Sequence, residues 1–526
     1  MNHTTFEKLQ FIELKELVKG YCVSSLGKQL LDQLGPSTNI NVVKLRLNET
    51  TEACVLLDAN GHIPLHGISN IENLIQKIDK GIILEPRELL SISDFLRGCR
   101  KIKHFMQANE FFAPTLANYA NSMTEFNAIE EEINFAIKGN RVDSAASREL
   151  RKIRQHIEMT EGKIKERLDK FLNNKANKDY IQEFFITKKN DRFTIPIKAS
   201  FKNQVSGTIV ELSSKGSTAF IEPNAVAKLN VELAMLKSDE AIEEYQILAT
   251  LSGLLNEKIA AITTNIELIS QYDMIFAKAK FSKATNGIEP KLNEVGYIKL
   301  VNAQHPLLFK TAVPLQFELG HEYRGLIITG PNAGGKTIVL KTIGLLTLAT
   351  MAGLHITAQE GTEISLFQHV LVDIGDNQSI ENALSTFSSH VKNLSDILQV
   401  ANNHTLLLFD EIGSGTEPNE GAALAISILE EFYKRGCITV ATTHYGEIKN
   451  FSELHPDFIN AAMKFNQETL EPLYQLMIGT SGNSNALWIS KKMGIQESIL
   501  ERAKIYMKDK NYCLDKVNQL YVRKLL

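Results

Sequence analysis

The 526-residue sequence has few cysteines, no long apolar run and no excess of charge of one sign. Its five cysteines lie far apart and form no C-x-x-C pair, which argues against a zinc site or a disulfide framework and favours a reducing setting. Glu7 and Glu13 interrupt the region where a secretory signal would be apolar, and the most apolar stretch, residues 343–356, is too short to span a bilayer. We therefore expect a cytoplasmic protein without a membrane anchor.

The net charge limits how the protein could bind a polyanion, and the length of the chain indicates how many packed units it forms. The 57 basic and 61 acidic residues give a net charge of -4, so a polyanion would have to bind to a local patch of the surface. The chain is longer than one hydrophobic core usually supports, so we expect about two to four packed units. No internal repeat or low-complexity segment is visible.

The period of the apolar residues changes several times along the chain, and the predicted fold class is a multidomain α and α/β protein. Helical spacing gives way to alternation near residue 181, returns near residue 225, and is followed from residue 287 by alternating apolar strands and helices. These changes predict six segments: a helical core (1–140), an ascending helical arm (141–180), a small β-rich tip (181–224), descending helices (225–286), an α/β domain (287–505) and a helical extension (506–526).

A glycine-rich loop joins a short apolar strand, residues 325–329, to an apolar helix. In a P-loop the glycines let backbone N–H groups surround the phosphates, the lysine contacts the β and γ oxygens, and the threonine hydroxyl binds Mg²⁺. The alternative is an ordinary strand-to-helix turn, but the flanking elements favour the P-loop. The predicted ATP-binding residues are Gly330, Pro331, Asn332, Ala333, Gly334, Gly335, Lys336 and Thr337.

Two later strands deliver polar side chains that complete such a site. The apolar strand 405–409 ends in Asp410 and Glu411, which we predict to bind Mg²⁺ and to orient the attacking water, respectively. A strand over residues 437–443 delivers His444, which would sense the γ-phosphate. The alternatives are an ordinary strand exit for the acids and an incidental histidine. We thus predict catalytic roles for Lys336, Glu411 and His444, with ATP and Mg²⁺ as cofactors.

The motifs GPNAGGKT, LLLFDEIGSGTEP and ATTHY resemble the ABC-type ATPase of the MutS family. The resemblance covers essentially the whole chain. It is closest to the bacterial branch whose longer members end in an Smr nuclease domain, as the segments DIGDNQSIENALSTFSSH, IGTSGNSNA and GSTAFIEPNAVAKLN indicate.

The resemblance implies a core, lever helices, a clamp at the β-rich tip and an ATPase domain. It also implies a homodimer, in which each nucleotide lies between one subunit's P-loop and the other's loop around Ser385 and Thr386. His305 would lie near the adenine. The sequence stops at Leu526, where longer relatives continue into a coiled coil and the nuclease domain, and it shows no N-terminal mismatch-reading domain. Neither endonuclease activity nor direct mismatch recognition is therefore expected.

Basic residues are concentrated in the arm and the tip. Residues 141–215 hold 17 basic and 10 acidic side chains, although the whole chain is acidic. Such a patch is typical of contact with a phosphate backbone, which charge alone can provide. The alternative is a solvated arm surface. The candidate nucleic-acid contacts are Lys188, Lys189, Arg192, Lys198, Lys202 and Lys215.

Several functions remain open at this point. The leading hypothesis is a homodimeric ATPase that clamps branched or structured DNA and suppresses homologous recombination. The second is an ATPase that recognises stalled or collided ribosomes through ribosomal RNA and separates their subunits. A mismatch-repair protein and an SMC-like connector rank lower, the latter because the helical period breaks at the tip after about thirty residues instead of sustaining heptads.

Overall fold

The computed structural model describes residues 3–65, 68, 70–330, 334–375, 386–466, 471–480, 487, 490–491 and 493–508. These residues form 16 α-helices and 16 β-strands in mixed arrangements, so the prediction of a multidomain α/β protein is confirmed at this level. The chain divides into two compact units. Unit 1 comprises Met1–His62 with Tyr272–Leu526, and unit 2 comprises Ile63–Gln271.

The helices, numbered in chain order, are α1 (His3–Lys8), α2 (Phe11–Lys19), α3 (Ser25–Gln33), α4 (Ile40–Asn60), α5 (Glu72–Asp79), α6 (Pro86–Ala108), α7 (Pro114–Asn121), α8 (Asn127–Ala136), α9 (Arg148–Asn173), α10 (Asn224–Asn256), α11 (Ile259–Ala284), α12 (Lys336–Met351), α13 (Thr386–Val400), α14 (Pro418–Lys434), α15 (Gly446–Leu454) and α16 (Glu497–Lys508). None of them, over the described ranges, is long and apolar enough to cross a bilayer.

The strands are β1 (Ile137–Lys138), β2 (Arg141–Val142), β3 (Thr187–Lys189), β4 (Arg192–Lys198), β5 (Gly207–Leu212), β6 (Thr218–Pro223), β7 (Lys291–Asn293), β8 (Ile298–Ala303), β9 (Leu315–Leu319), β10 (Gly325–Thr329), β11 (Glu363–Ser365), β12 (His369–Asp373), β13 (Thr405–Phe409), β14 (Ile438–Thr442), β15 (Phe458–Phe465) and β16 (Pro472–Ile478).

A six-stranded sheet with the order β12-β13-β14-β10-β15-β16 is the centre of unit 1. Its strands are parallel except for β16, which runs antiparallel to β15 at one edge. Alternate residues of β10, β13 and β14 pack into two apolar clusters, one with α12 and the other with α14. Helices on both faces explain why these strands are continuous apolar runs in the sequence. Because the strands are parallel, the residues that follow β10, β13 and β14 meet at one edge.

The N-terminal helices pack into the same core as this sheet. Leu9, Phe11, Leu14 and Val18 are buried in one apolar cluster with residues of β10, β13, β14 and α12. The predicted helical segment 1–140 is therefore divided between the two units, because the apolar faces of α1 and α2 are buried by residues more than 300 positions later in the chain. Unit 1 also contains a second sheet with the order β7-β11-β8-β9. Its strand β8 ends at Ala303, two residues before His305.

Unit 2 contains a small antiparallel sheet with the order β3-β4-β6-β5, packed against two long helices. The buried residues Ile164 and Leu168 of α9 and Leu233 of α10 share one apolar cluster with Ile195 of β4. Helix α9 begins after Ser147, whose side chain accepts a hydrogen bond from the Leu150 N–H at 2.9 Å. The chain passes between the units at two places, and the second of them, after Gln271, lies within α11.

Candidate nucleotide site

The glycine-rich loop leads from β10 into α12. Gly335, with a φ of 90°, caps α12 in the left-handed region, where a side chain would be strained. A Cβ atom there would also lie 2.8 Å from the ring of Tyr474. The N-terminus of α12, with the positive end of its dipole, follows this loop directly, which is the usual arrangement for phosphate binding. Pro331, Asn332 and Ala333 lie outside the described residues, whereas Gly330, Gly334 and Gly335 are described.

Lys336 is the first residue of α12, and its side chain folds back onto the loop. Its Nζ atom donates a hydrogen bond of 2.6 Å to the Gly330 carbonyl and lies 3.0 Å from Nε2 of His444. Burial of the ammonium lowers the pKa of Lys336 from its usual value, while the carboxylates of Glu411 and Asp410 act in the opposite direction. The structure thus places a buried cation beside the carbonyl that begins the loop.

Asp410 is held by two hydroxyl groups. Thr337 Oγ1 donates to Asp410 Oδ2 at 2.6 Å, and Thr442 Oγ1 donates to Asp410 Oδ1 at 2.6 Å. Thr442 Oγ1 also accepts a hydrogen bond of 2.8 Å from the Glu411 N–H. The structure brings together the two predicted magnesium ligands, Thr337 and Asp410. Thr442 was missed from the sequence, where its only signal is its position at the end of an apolar strand, two residues before His444.

Glu411 has an unusual backbone conformation for a residue with a side chain. Its φ is 51°, in the left-handed region. Its Oε1 atom lies 3.4 Å from Nε2 of His444. Because the Lys336 ammonium can only donate, it requires Nε2 as an acceptor, and the same atom cannot then donate to Glu411. His444 therefore has two competing partners, a cation and a carboxylate.

His305 lines a cleft of about 150 Å³ beside the start of α12, together with Ala303, Leu308, Gly335, Val339 and Tyr474. The His305 side chain is 3% exposed, and its ring nitrogens have no hydrogen-bond partner among the residues that the structure describes. Burial, with the nearby Lys341 charge, lowers the pKa of His305 to about 4, so the ring is neutral at pH 7. A buried ring without polar partners suits contact with a purine base.

The side chains present also fit a magnesium ion. In the part of the chain covered by the structure, no group of three or more His, Cys, Asp or Glu side chains is placed to hold a metal ion. Mg²⁺ usually needs only one or two protein oxygens, since waters and substrate phosphates complete its coordination. Thr337 Oγ1 and Asp410 Oδ2, in direct contact at the start of α12, supply oxygens of this kind.

The structure describes only part of the predicted trans-subunit loop around Ser385 and Thr386. Ser385 lies outside the described residues, and Thr386 is the first residue of α13, with its side chain not described. One turn later, His390 Nδ1 lies 2.7 Å from Asp373 Oδ2 at the end of β12. The Asp373 carbonyl in turn accepts a hydrogen bond of 2.8 Å from the Asp410 N–H. This contact, which sequence reasoning missed, links the start of α13 to the acidic strand end.

The six predicted nucleic-acid residues all lie on or beside the small sheet of unit 2, but their surroundings differ. Three of them form ion pairs: Lys188 with Glu161 at 2.8 Å, Lys189 with Glu211 at 3.0 Å, and Arg192 with Glu222 at 2.9 Å. Lys198 Nζ donates to the Asp179 main-chain carbonyl at 3.0 Å. Lys202 and Lys215 are exposed.

Comparison with known proteins gives one family. The model for MutS domain V matches residues 326–510. The Endonuclease MutS2 of Geobacillus sp. (strain WCH70) is 41% identical over 515 residues, covering 96% of this chain and 65% of that protein. The same-named protein of Clostridioides difficile (strain 630) is 39% identical over 99% of this chain and 66% of its own length. The Putative endonuclease MutS2 of Bacillus subtilis (strain 168) is 39% identical over 96% of this chain. The chain thus spans about 65% of the length of such relatives.

Proposed function

The chain belongs to the MutS family and is of the MutS2 type, and from this premise we propose that it is a Mg²⁺-dependent ATPase. The observation that carries the proposal is the hydrogen-bonded group at the edge of the central sheet. There Lys336 contacts His444, His444 lies beside Glu411, and Asp410 is held by Thr337. A lysine and a threonine at the end of a glycine-rich loop, with two acids beside them, are the groups that P-loop nucleotide hydrolysis uses.

Each side chain has a distinct role in this proposal. The N-terminus of α12 and Lys336 hold the phosphates, and His305 lies against the base. Thr337 and Asp410 would hold Mg²⁺, which when bound neutralises phosphate charge. Glu411 orients and polarises the attacking water, and His444 contacts the γ-phosphate. The loop around Ser385 and Thr386 would complete the site of a second subunit, so the active form is a homodimer.

We further propose that ATP binding and hydrolysis are coupled to gripping nucleic acid, with branched or structured DNA as the preferred partner and suppression of homologous recombination as the outcome. Family membership and the basic surface of unit 2 support this proposal. The nuclease activity in the relatives' name is not part of this proposal, because the site described above is suited to nucleotide hydrolysis.

The alternative partner is a stalled or collided ribosome, since ribosomal RNA offers the same phosphate backbone. ATPase rates of the purified chain would be measured alone, with branched DNA, with linear duplex and with collided ribosomes, using Glu411→Gln as the blank for contaminating ATPase. Stimulation chiefly by branched DNA would support the proposal, and stimulation chiefly by ribosomes would assign the chain to ribosome rescue. An equal rate under all conditions would refute coupling to nucleic acid.

A further inference from the structure

The basic residues around the small sheet of unit 2 fall into two groups. Lys188 and Lys189 are neutralised by Glu161 and Glu211, and their ammonium groups also lie over aromatic rings. Arg192 is held by the buried carboxylate of Glu222. Within residues 70–330, all of which the structure describes, a second group of lysines forms no ion pair with a carboxylate. This group, the lysine cluster, consists of Lys175, Lys178, Lys198, Lys202 and Lys215.

Backbone contacts bring the members of the lysine cluster together. The Lys198 N–H donates to the Tyr180 carbonyl at 2.8 Å, which places the turn 175–180 beside the end of β4. The Ala199 N–H donates to the Ser217 carbonyl at 2.9 Å, which places the turn carrying Lys215 at the same end. The rings of Tyr180 and Phe201, 5.3 Å apart, pack between these segments, and Lys202 follows directly.

The cluster is separate from the ion-paired group. Arg192 begins β4 and Lys198 ends it, so their backbones are roughly 20 Å apart at about 3.3 Å per residue. The segments that carry the cluster, 174–183, 198–204 and 213–217, contain five lysines and two acidic residues, Asp179 and Glu183. The difference between five and two leaves a local excess of three positive charges.

Free and paired lysines differ in what they gain from a phosphate. A lysine that already contacts a carboxylate would exchange one anion for another, whereas a free lysine releases condensed counterions from the nucleic acid when it binds. Four members of the cluster, Lys175, Lys178, Lys202 and Lys215, have exposed side chains, as such contact requires.

We propose that the lysine cluster, and not Lys188, Lys189 and Arg192, is the surface that contacts the phosphodiester backbone of nucleic acid. This refinement rests on the proposed function that the chain grips nucleic acid. The proposed binding surface lies at one end of β4 and is formed by two turns and the end of that strand. Because lysine contacts phosphate as a point charge, the surface is expected to bind without reading base sequence.

The test compares two variants of the full chain, each lacking two lysines. The first is Lys202→Gln with Lys215→Gln. The control removes both partners of two ion pairs, Lys188→Gln with Glu161→Gln and Lys189→Gln with Glu211→Gln, so the net charge is unchanged. Binding to a labelled branched DNA, and to an RNA duplex of the same length, is measured between about 50 and 200 mM salt, where the slope of log affinity against log salt counts phosphate contacts.

We expect the slope for DNA to become shallower by about 2 in the first variant, so that the affinity of this variant falls about tenfold less over the salt range. In the control, the slope should stay within about 0.5 of the parent value. The same difference with RNA would extend the surface to both nucleic acids. A shallower slope in the control alone would overturn the inference but leave the proposed function standing. If the parent chain binds neither nucleic acid, the proposed function and the inference both fail. Unchanged thermal midpoints would show that both variants fold.

Discussion

Nζ of Lys336 and Nε2 of His444 lie 3.0 Å apart at the edge where β10 and β14 end. Since an ammonium group donates and cannot accept, Nε2 of His444 is the acceptor in this contact. The same Nε2 atom lies 3.4 Å from the Glu411 carboxylate. Any anion that draws Lys336 away would therefore release His444 toward Glu411, so the three side chains are expected to act as one unit.

Two substitutions in this unit should have different effects. Lys336→Ala removes the buried cation and should weaken ATP binding by about 10- to 100-fold, the usual loss for a charge-assisted hydrogen bond. Glu411→Gln keeps the shape of the side chain but removes its basicity, so it should bind ATP normally while kcat falls by about 10²- to 10⁴-fold. Nucleotide titration and steady-state hydrolysis separate the two effects. Glu430→Gln, an exposed acid of α14, is the control. Normal hydrolysis by both variants would show that the site is elsewhere.

Thr442 offers a test of positioning. Thr442→Val removes the hydroxyl that donates to Asp410 and accepts from the Glu411 N–H, so we expect the free energy of unfolding to fall by about 1–3 kcal/mol. We also expect kcat to fall, with the affinity for ATP retained. Thr347→Val is the control, because its hydroxyl is also buried but donates within its own helix, to the Ile343 carbonyl. Urea denaturation and ATPase kinetics would measure both effects, and a parent-like kcat in Thr442→Val would contradict the assigned role.

The sequence predicted the separate parts of this site more readily than their contacts. The strand before Asp410 is an apolar run of five residues, and the glycine-rich loop has a fixed spacing, so both are local signals. The contact of Thr442 with Asp410 depends on β14 lying between β10 and β13, an order that no local pattern specifies. The pairing of Lys188 with Glu161 likewise depends on how α9 packs against the sheet, which explains why a count of basic residues did not separate free from paired charges.

The burial of the Lys278 ammonium group should make the stability of the protein depend on pH. Its side chain is 1% exposed, and its Nζ donates to the carbonyls of Arg46 and Gly353 at 3.3 Å. Burial, together with the Arg46 charge, lowers the pKa of Lys278 from 10.5 to about 8, although Glu49 opposes the shift. Below pH 8 the ammonium is charged in both the folded and the unfolded state, and its burial costs stability. Between pH 8 and 10.5 the folded state releases the proton first, so the cost disappears as the pH rises.

Lys278→Met should remove this dependence. Relative to the variant, the parent should gain stability on the order of 3 kcal/mol between about pH 7 and pH 10.5, at 1.36 kcal/mol for each unit of pKa shift. Chemical denaturation of both proteins across this range would measure the difference. Lys280→Met, at a less buried position of the same helix, is the control. A difference between parent and Lys278→Met that does not change with pH would disprove the prediction.

The backbone of Glu411 can be tested separately from its carboxylate. Glu411→Gly and Glu411→Ala both remove the acid, but only glycine adopts a φ of 51° without steric cost. We expect the glycine variant to be more stable than the alanine variant by about 1 kcal/mol, and both to be inactive in ATP hydrolysis. Thermal and urea denaturation of the two variants would give this difference. Equal stability, or a more stable alanine variant, would show that the conformation carries no strain.

The conformation of Glu411 also has a consequence for protein engineering. Because the residue at this position must supply a carboxylate while adopting a backbone geometry suited to glycine, heat tolerance and turnover favour different amino acids there. A library screened only for survival at high temperature would enrich inactive glycine variants at position 411. Stabilising mutations should therefore be sought away from this residue, and each round of selection should include a measurement of ATP turnover.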